Sequence, residues 1–232
     1  MKSLAFGTVV ALSTFALAAQ GGLTLTRKVK SGDELKYRLK ANIDVSGNSA
    51  EFSGLQTQKV LEVATDGTYT VQSATSDVKV TFGGQEIAVP PDSVPSITTV
   101  YNVDGTVKEI RGDSAAADAY RASNLSTVFY TGKEIKVGDT FNNDKPADKN
   151  TGATAYKSTY KVVGEEKVGS YDTWKIEFSV KESEGETPAS SNGTVWVDKN
   201  DGAMVKSDAK WENAPFPGAP APVSGSVSIT RE

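Results

Sequence analysis

Residues 35–45 read LKYRLKANIDV, a stretch in which every odd-numbered residue is apolar and every even-numbered residue is polar. Successive side chains of a β-strand point to opposite faces of a sheet, so this pattern predicts a strand with one buried and one wet side. Residues 174–181 (WKIEFSVK) show the same alternation. Both stretches favour long antiparallel strands, because antiparallel sheets commonly leave one face in water.

Nine further segments are rich in β-branched and aromatic residues, which strands favour. They are residues 23–29, 58–63, 69–73, 78–82, 98–103, 156–163, 194–197, 204–211 and 223–230. Turn sequences such as Asp104-Gly105 and Asn200-Asp201-Gly202 lie between them and supply the positive φ angles of tight hairpins. The chain therefore reads as a succession of hairpins.

A single segment departs from the strand pattern. Residues 114–122 (SAAADAYRA) are rich in alanine and have Asp113 or Ser114 available as an N-cap, so they predict one short helix. Proline-rich residues 89–95 and 215–222 and the polar residues 142–152 predict exposed loops.

Parts of the second half echo the first half in the same order. Residues 29–33 (VKSGD) are echoed by residues 135–139 (IKVGD). Duplication of a β-meander would give two halves, residues 23–112 and 131–232, with a helical connector at 113–130. The other explanation is that hairpins of this composition resemble one another wherever they occur.

The N-terminus has the three-part pattern of a secretory signal peptide. Lys2 precedes an apolar run at residues 4–17, which ends in the small residues Ala16-Leu17-Ala18. The run is shorter than the roughly 20 residues that a membrane-spanning helix needs. We predict cleavage after about residue 18 and export of residues 19–232, as a single β-rich domain, to the periplasm or the extracellular space. The chain contains no cysteine for a lipid anchor, and we expect no integral membrane segment in the mature protein.

Composition excludes several chemistries. With no histidine and no cysteine, the chain cannot build a Ser-His-Asp triad, a Cys-His pair or a histidine-ligated metal site. A formal net charge of −4 argues against binding to nucleic acid, which needs a clustered basic surface. We therefore expect a protein that is not an enzyme and that has no cofactor and no metal.

The second half resembles a known family. Residues 160–176 (YKVVGEEKVGSYDTWKI), residues 193–198 (GTVWVD) and Val205-Lys206 resemble the end of the periplasmic lipoprotein-carrier group, which sorts outer-membrane lipoproteins. They are equally similar to uncharacterised exported families of the same pattern. The resemblance implies a mainly β fold with one strongly curved, half-barrel-like antiparallel sheet, whose apolar concave side is partly closed by a helix. The alternation alone leaves open whether there is one curved sheet or two small sheets.

Seven aromatic residues are candidates for lining an apolar cavity, although strand aromatics also build ordinary cores. They are Tyr37, Tyr156, Tyr160, Trp174, Phe178, Trp196 and Trp211. The leading hypothesis is a binding or carrier protein whose ligand is a lipid, a lipidated protein or another apolar molecule. The alternative is a structural or protein-interaction module of the cell envelope without a small-molecule ligand, which would bind its partner through sheet edges or the proline-rich loop.

Overall fold

The computed structural model describes residues 23–45, 47–90, 94–112, 116–216 and 221–232. Over these ranges the chain is mainly β, with one helix and one large antiparallel sheet that is curved but not closed. The predicted fold class is confirmed. The predicted signal peptide, residues 1–18, lies outside the described residues.

The described strands and helix follow one another along the chain in a simple order. They are β1 (Leu23–Thr24), β2 (Glu34–Val45), β3 (Asn48–Val63), β4 (Tyr69–Phe82), β5 (Gln85–Ile87), β6 (Ile97–Tyr101), β7 (Val107–Arg111), α1 (Ala117–Ser126), β8 (Glu134–Ile135), β9 (Thr140–Lys145), β10 (Tyr156–Val168), β11 (Tyr171–Glu182), β12 (Ser190–Asp198), β13 (Met204–Ala214) and β14 (Val223–Arg231).

The large sheet consists of two five-stranded meanders joined by one strand. The order across the sheet is β7-β6-β4-β3-β2-β14-β13-β12-β11-β10-β9, with β5 paired to β4. The first meander (β2, β3, β4, β6, β7) and the second meander (β9 to β13) each keep their strands in chain order, and β14 lies between β2 and β13. The short strands β1 and β8 pair with each other outside this sheet.

Equivalent hydrogen bonds recur in the two meanders. The Gly32 N–H donates to the Val60 carbonyl at 2.8 Å, and the Gly138 N–H donates to the Val162 carbonyl at 2.8 Å. Both glycines have positive φ angles, +90° and +97°. The turns that the sequence echo singles out therefore occupy equivalent places at the starts of β2 and β9.

Two extended segments cross the apolar face of the sheet. We name residues 25–33 the first strap and residues 127–133 the second strap. The Lys28 N–H donates to the Asp201 carbonyl, and the Tyr130 N–H donates to the Asp104 carbonyl, both at 2.8 Å. Each strap is thus fastened to a turn of the opposite meander, and the two straps also bond to each other, since the Leu25 N–H donates to the Lys133 carbonyl at 2.9 Å.

Burial follows the alternation of the sequence. In β2 the side chains of Tyr37, Ala41 and Ile43 are buried, while Lys36 and Lys40 are exposed. The apolar face of the second meander packs in the same way around Trp174, Ile176, Val195 and neighbouring residues. The predicted one-sided strands are confirmed.

Curvature brings the two edges of the sheet towards each other. The Nζ atom of Lys145, at the end of edge strand β9, lies 3.5 Å from the Asp104 carboxylate in the turn between β6 and β7. Helix α1 contacts β7 on one side and β11, β12 and β13 on the other. The helix therefore bridges edge strand β7 and the inner strands β11 to β13. It lies within residues 113–130, where the sequence predicts the helical connector.

Three local predictions need correction. The helix predicted for residues 114–122 is found at Ala117–Ser126, and its N-cap residue is Ala116, whose side chain makes no capping hydrogen bond, rather than Asp113 or Ser114. The loop predicted for residues 142–152 begins later, because residues 140–145 form β9 and pair with β10. Their polar side chains gave no strand signal, yet an edge strand can keep polar residues because much of its surface meets water. Of the strand predicted for residues 23–29, only Leu23–Thr24 forms one, and the rest belongs to the first strap.

Candidate functional site at the junction of the straps and the sheet

A cavity of about 110 Å³, partly open to solvent, lies where the two straps cross the apolar face of the first meander. We name it the junction cavity. An apolar cavity of roughly 150 Å³ is known to hold benzene, so this volume suits a small molecule or one end of a longer one. Its lining residues are Arg27, Val29, Asp33, Leu35, Tyr37, Gln58, Val60, Tyr69, Val71, Tyr101, Gly105, Ser126, Thr127, Val128, Tyr130 and Met204.

Strand geometry explains how these side chains converge. Leu35 and Tyr37 lie on the apolar face of β2, and Val60 and Val71 face each other across β3 and β4. The second strap closes the cavity where it meets the turn after β6. Gly105 has a φ of +80° there, and a Cβ atom at this position would overlap the Val128 carbonyl oxygen. Only a glycine allows this close approach.

Arg27 brings a positive charge to the cavity wall. Its side chain is only 10% exposed. The Nη1 atom donates to the carbonyl oxygens of Lys28, at 2.7 Å, and Asp201, at 3.0 Å. The Nε and Nη2 atoms donate to no described residue. The guanidinium is therefore held at one nitrogen and keeps its other donors available.

Four tyrosines also contribute polar atoms to the wall, beside the side chains of Asp33, Gln58, Ser126 and Thr127. Burial raises the pKa of the Tyr37 hydroxyl to about 12 and also raises the pKa of the Tyr69 hydroxyl, although the nearby charge of Arg27 partly opposes both shifts. Burial raises the pKa of Tyr101 and Tyr130 as well. These phenols stay neutral at pH 7 and can act as hydrogen-bond donors. Tyr130 already donates to the Gly202 carbonyl at 2.8 Å.

The equivalent place in the second meander is packed rather than hollow. Phe129 precedes Tyr130 in the second strap as Arg27 precedes Lys28 in the first strap, and both following residues make the equivalent turn contact. The Phe129 ring lies 6.3 Å from Phe141 and 6.2 Å from Tyr160, centroid to centroid. An aromatic cluster fills the second position, whereas an arginine lines a cavity at the first.

The seven predicted aromatic residues are divided among several places. Tyr37 lines the junction cavity. Tyr160, Trp174 and Phe178 belong to the core of the second meander. Tyr156 and Trp211 pack with Leu125 of the helix in a neighbouring cluster. Of these six residues, Tyr37 lines the junction cavity and the other five lie in packed clusters. Trp196 is the seventh.

Trp196 lies on the opposite, polar face of the sheet. It pairs with Lys175 and Lys206 across the strands, and the Lys206 Nζ atom is 4.7 Å from the centre of its ring. Its indole N–H donates to Glu166 at 3.1 Å. Hydrogen bonds from Lys175 and Trp196 lower the pKa of the Glu166 carboxyl. Trp196 is therefore covered by charged side chains and does not face the junction cavity.

A larger concavity, of about 940 Å³, lies over the centre of the sheet. Most of its lining side chains belong to the polar face of strands β4, β3, β2, β14, β13 and β12, and we name it the polar groove. These side chains are Lys40, Asn42, Glu51, Ser53, Lys79, Thr81, Asn192, Thr194, Asp208, Lys210, Ser226 and Ser228. The family resemblance implied an apolar concavity, but this wider one is lined mainly by polar and charged residues.

A buried ion pair fixes the helix beside the apolar face. The Arg121 Nε and Nη2 atoms donate to the two oxygens of Glu182 at 2.7 and 2.9 Å. The Glu182 side chain is 5% exposed and also accepts the Ala189 N–H at 2.7 Å. Helix α1 leads into the second strap, so this contact helps to hold the roof of the junction cavity.

Of the sixteen residues that line the junction cavity, the sequence prediction named only Tyr37. The residues that it missed include Arg27, Tyr69, Tyr101 and Tyr130. Arg27 did carry a signal, since it stands in the alternating stretch 23–29 at a position in phase with Leu25 and Val29. A charged residue at an otherwise apolar position of such a stretch indicates a charge on the face that is predicted to be buried. The three tyrosines become neighbours only through strand pairing and the crossing of the second strap.

The described ranges contain no group of three or more acidic residues placed to hold a metal ion. In the same ranges, no helix is long and apolar enough to cross a membrane.

Comparison with known proteins gives similarity of fold only. No protein-family model and no curated protein sequence matches the chain. Lipovitellin, from a structure described as showing lipid–protein interactions, is similar at 9% identity and a TM-score of 0.48 over 88% of this chain and 25% of its own. An exported protein with a YmcC-like fold from Bacteroides fragilis is similar at 10% identity and a TM-score of 0.36, over 91% and 99% of the two chains. The chain spans a quarter of lipovitellin, and its resemblance to the lipoprotein-carrier group stays a hypothesis.

Proposed function

We propose that this protein is a non-enzymatic binding protein for a small amphiphile, or for one end of a longer amphiphile, and that the junction cavity is its binding site. The observation that supports this proposal is a cavity whose walls combine apolar side chains with unused polar donors, at a place where the second meander has a packed aromatic cluster. A merely structural junction would be expected to fill the space, as Phe129 does.

The composition of the wall suits an amphiphile better than a fully polar ligand. Val29, Val60 and Val71 offer apolar surface, while Arg27 and Tyr37 offer donors on another part of the wall. Ligand sites commonly combine apolar walls with a few placed polar groups that fix orientation. The volume of about 110 Å³ admits a head group and a few carbon atoms, so a longer chain would leave through the mouth. We propose that binding takes place outside the cytoplasm, as the leader sequence predicts.

A pair of neighbouring substitutions tests this function. Val60 is 5% exposed and lines the cavity, whereas Leu61 is 42% exposed. We expect Val60→Phe to fill the cavity and weaken binding of sodium octanoate at least about 10-fold, as measured by isothermal titration calorimetry at pH 7. Leu61→Phe adds a phenyl ring outside the cavity and should bind like the unaltered protein.

Thermal unfolding of both variants provides the folding control, and Val71→Phe offers a second way to fill the cavity. The proposal is wrong if octanoate, 1-octanol and octyltrimethylammonium all fail to give saturable binding to the unaltered protein. It is also wrong if both cavity-filling variants fold and bind these probes as well as Leu61→Phe does.

The polar groove favours a second candidate, an interaction module of the cell envelope. Its walls carry lysines, carboxylates, amides and hydroxyls across six strands, which suits a polar partner. Lys210→Glu should then reduce partner capture from envelope extract, while Val60→Phe should not. Unchanged partner capture by Lys210→Glu, together with reduced capture by Val60→Phe, would favour the junction cavity.

A further inference from the structure

The unused donors of Arg27 indicate which chemical group the junction cavity would hold. A guanidinium presents five N–H donors, and the Nε and Nη2 edge is the fork that matches the two oxygens of a carboxylate. In the described residues this edge has no acceptor, although 90% of the side chain is withdrawn from solvent. The Nε and Nη2 atoms keep some contact with solvent, since the described residues hold no fully buried donor of Arg27 without a partner. A ligand oxygen that replaces water at this edge would accept charge-assisted hydrogen bonds, which are stronger than neutral ones.

The Asp201 carboxylate does not form a close ion pair with Arg27. Its Oδ1 atom is 3.9 Å from Arg27 Nη1, whereas its Oδ2 atom is 3.3 Å from Arg231 Nη1. The closer carboxylate contact is therefore with Arg231. Arg27 instead donates a hydrogen bond from its Nη1 atom to the backbone carbonyl oxygen of Asp201, at 3.0 Å.

The neighbouring groups favour an anion over a cation. The charge of Arg27 acts on the hydroxyls of both Tyr37 and Tyr69, and neither hydroxyl forms a hydrogen bond with a described residue. The carboxylates of Asp201 and Asp104 act on them in the opposite sense, but Asp201 contacts Arg231 and Asp104 contacts Lys145. As neutral phenols, they can donate to an oxygen that Arg27 also binds. Asp33 is the one carboxylate on the cavity wall, and the Lys30 N–H donates to it at 2.8 Å.

We propose, on the basis of the function inferred above, that the ligand is an amphiphilic monocarboxylic acid whose carboxylate binds the Nε and Nη2 edge of Arg27. The apolar part of the acid then packs against Val60 and Val71. The volume of the cavity suits a carboxylate and a few methylene groups, with the remainder of the chain in the mouth. Arg27 is the residue that selects acids over neutral or cationic molecules of the same length.

Three probes of equal chain length test this selection on the unaltered full chain. Sodium octanoate, 1-octanol and octyltrimethylammonium are titrated by calorimetry at pH 7. Charge-assisted hydrogen bonds are strong, so we expect octanoate to bind at least about 10-fold more tightly than 1-octanol, and the cation to bind most weakly. Equal affinity for octanoate and 1-octanol would overturn the carboxylate proposal and leave the binding function intact. No binding of any probe would overturn both.

A matched pair of variants assigns the selection to one residue. Arg27→Gln should reduce octanoate affinity about 10-fold, to the level of 1-octanol, and should leave 1-octanol affinity unchanged. Lys28→Gln removes an exposed charge one residue away and should preserve the preference for octanoate. If Arg27→Gln folds and keeps that preference, the proposal is wrong. If it does not fold, the three-probe comparison still decides, because it uses no variant.

Discussion

Replacing Arg121 by alanine is expected to lower the free energy of unfolding by about 3–5 kcal/mol, because it leaves a buried carboxylate without its cation. Glu182 is 5% exposed and would keep only the Ala189 N–H as a described donor. Urea unfolding followed by tryptophan fluorescence measures the change. The loss should be accompanied by loosening of helix α1, whose Tyr120 and Leu125 are its buried contacts.

Two further variants separate the buried pair from the exposed one. Asp118 also contacts Arg121, at 3.1 Å, but it is 71% exposed, so Asp118→Ala should cost at most about 1 kcal/mol. The double variant Arg121→Met with Glu182→Met should recover most of the loss, since apolar replacement of a buried pair is often tolerated. An Arg121→Ala protein as stable as Asp118→Ala would contradict the importance of the pair.

Alkaline pH should destabilise the protein through its buried tyrosines. Burial raises the pKa of Tyr37 and Tyr156 from 10.0 to about 12, and that of Tyr69 and Tyr160 further. The unfolded chain then loses these protons first as the pH rises. The free energy of unfolding is therefore unaffected by these groups below pH 10 and falls between about pH 10 and pH 12, on the order of 5 kcal/mol from Tyr37 and Tyr156 alone.

The measurement is urea unfolding at several pH values, with tyrosinate absorbance near 295 nm recorded in parallel. Tyr37→Phe removes one of the raised groups, so its free energy of unfolding should fall less between pH 10 and pH 12, by roughly 3 kcal/mol. Equal losses for this variant and the unaltered protein would mean that the Tyr37 hydroxyl is not withdrawn from water.

Most of the sheet could be predicted because alternation directly encodes which face of a strand is buried. The apolar residues of the stretch 35–45 lie on one face of β2, as the alternation predicted. Those of residues 174–181 lie on one face of β11. Strand β9 was missed because its residues, TFNNDK, lack that signal and gain their place by pairing with β10. Sequence patterns describe single strands well and describe the partners of polar edge strands poorly.

The candidate site was harder to predict than the fold. Arg27, Tyr69 and Tyr130 come from three segments far apart in the chain, and they meet because each strap crosses to the opposite meander. Aromatic content alone could not separate core from cavity, since Trp174 and Tyr37 occupy equally apolar positions of their strands. What distinguishes the cavity is that Arg27 stands where Phe129 packs against Phe141 and Tyr160 in the second meander, a difference that only the comparison of the two meanders reveals.

The most direct test of the proposed site is a titration of the ¹⁵N-labelled protein with sodium octanoate, followed by ¹H–¹⁵N NMR spectra. We expect saturable shifts of the amides of Val29, Val60, Gly105 and Val128, and of the side-chain Nε–H signal of Arg27, with a single dissociation constant. No shift at these positions, or shifts confined to Asn42, Gly193 and Ala209 at the polar groove, would contradict the account.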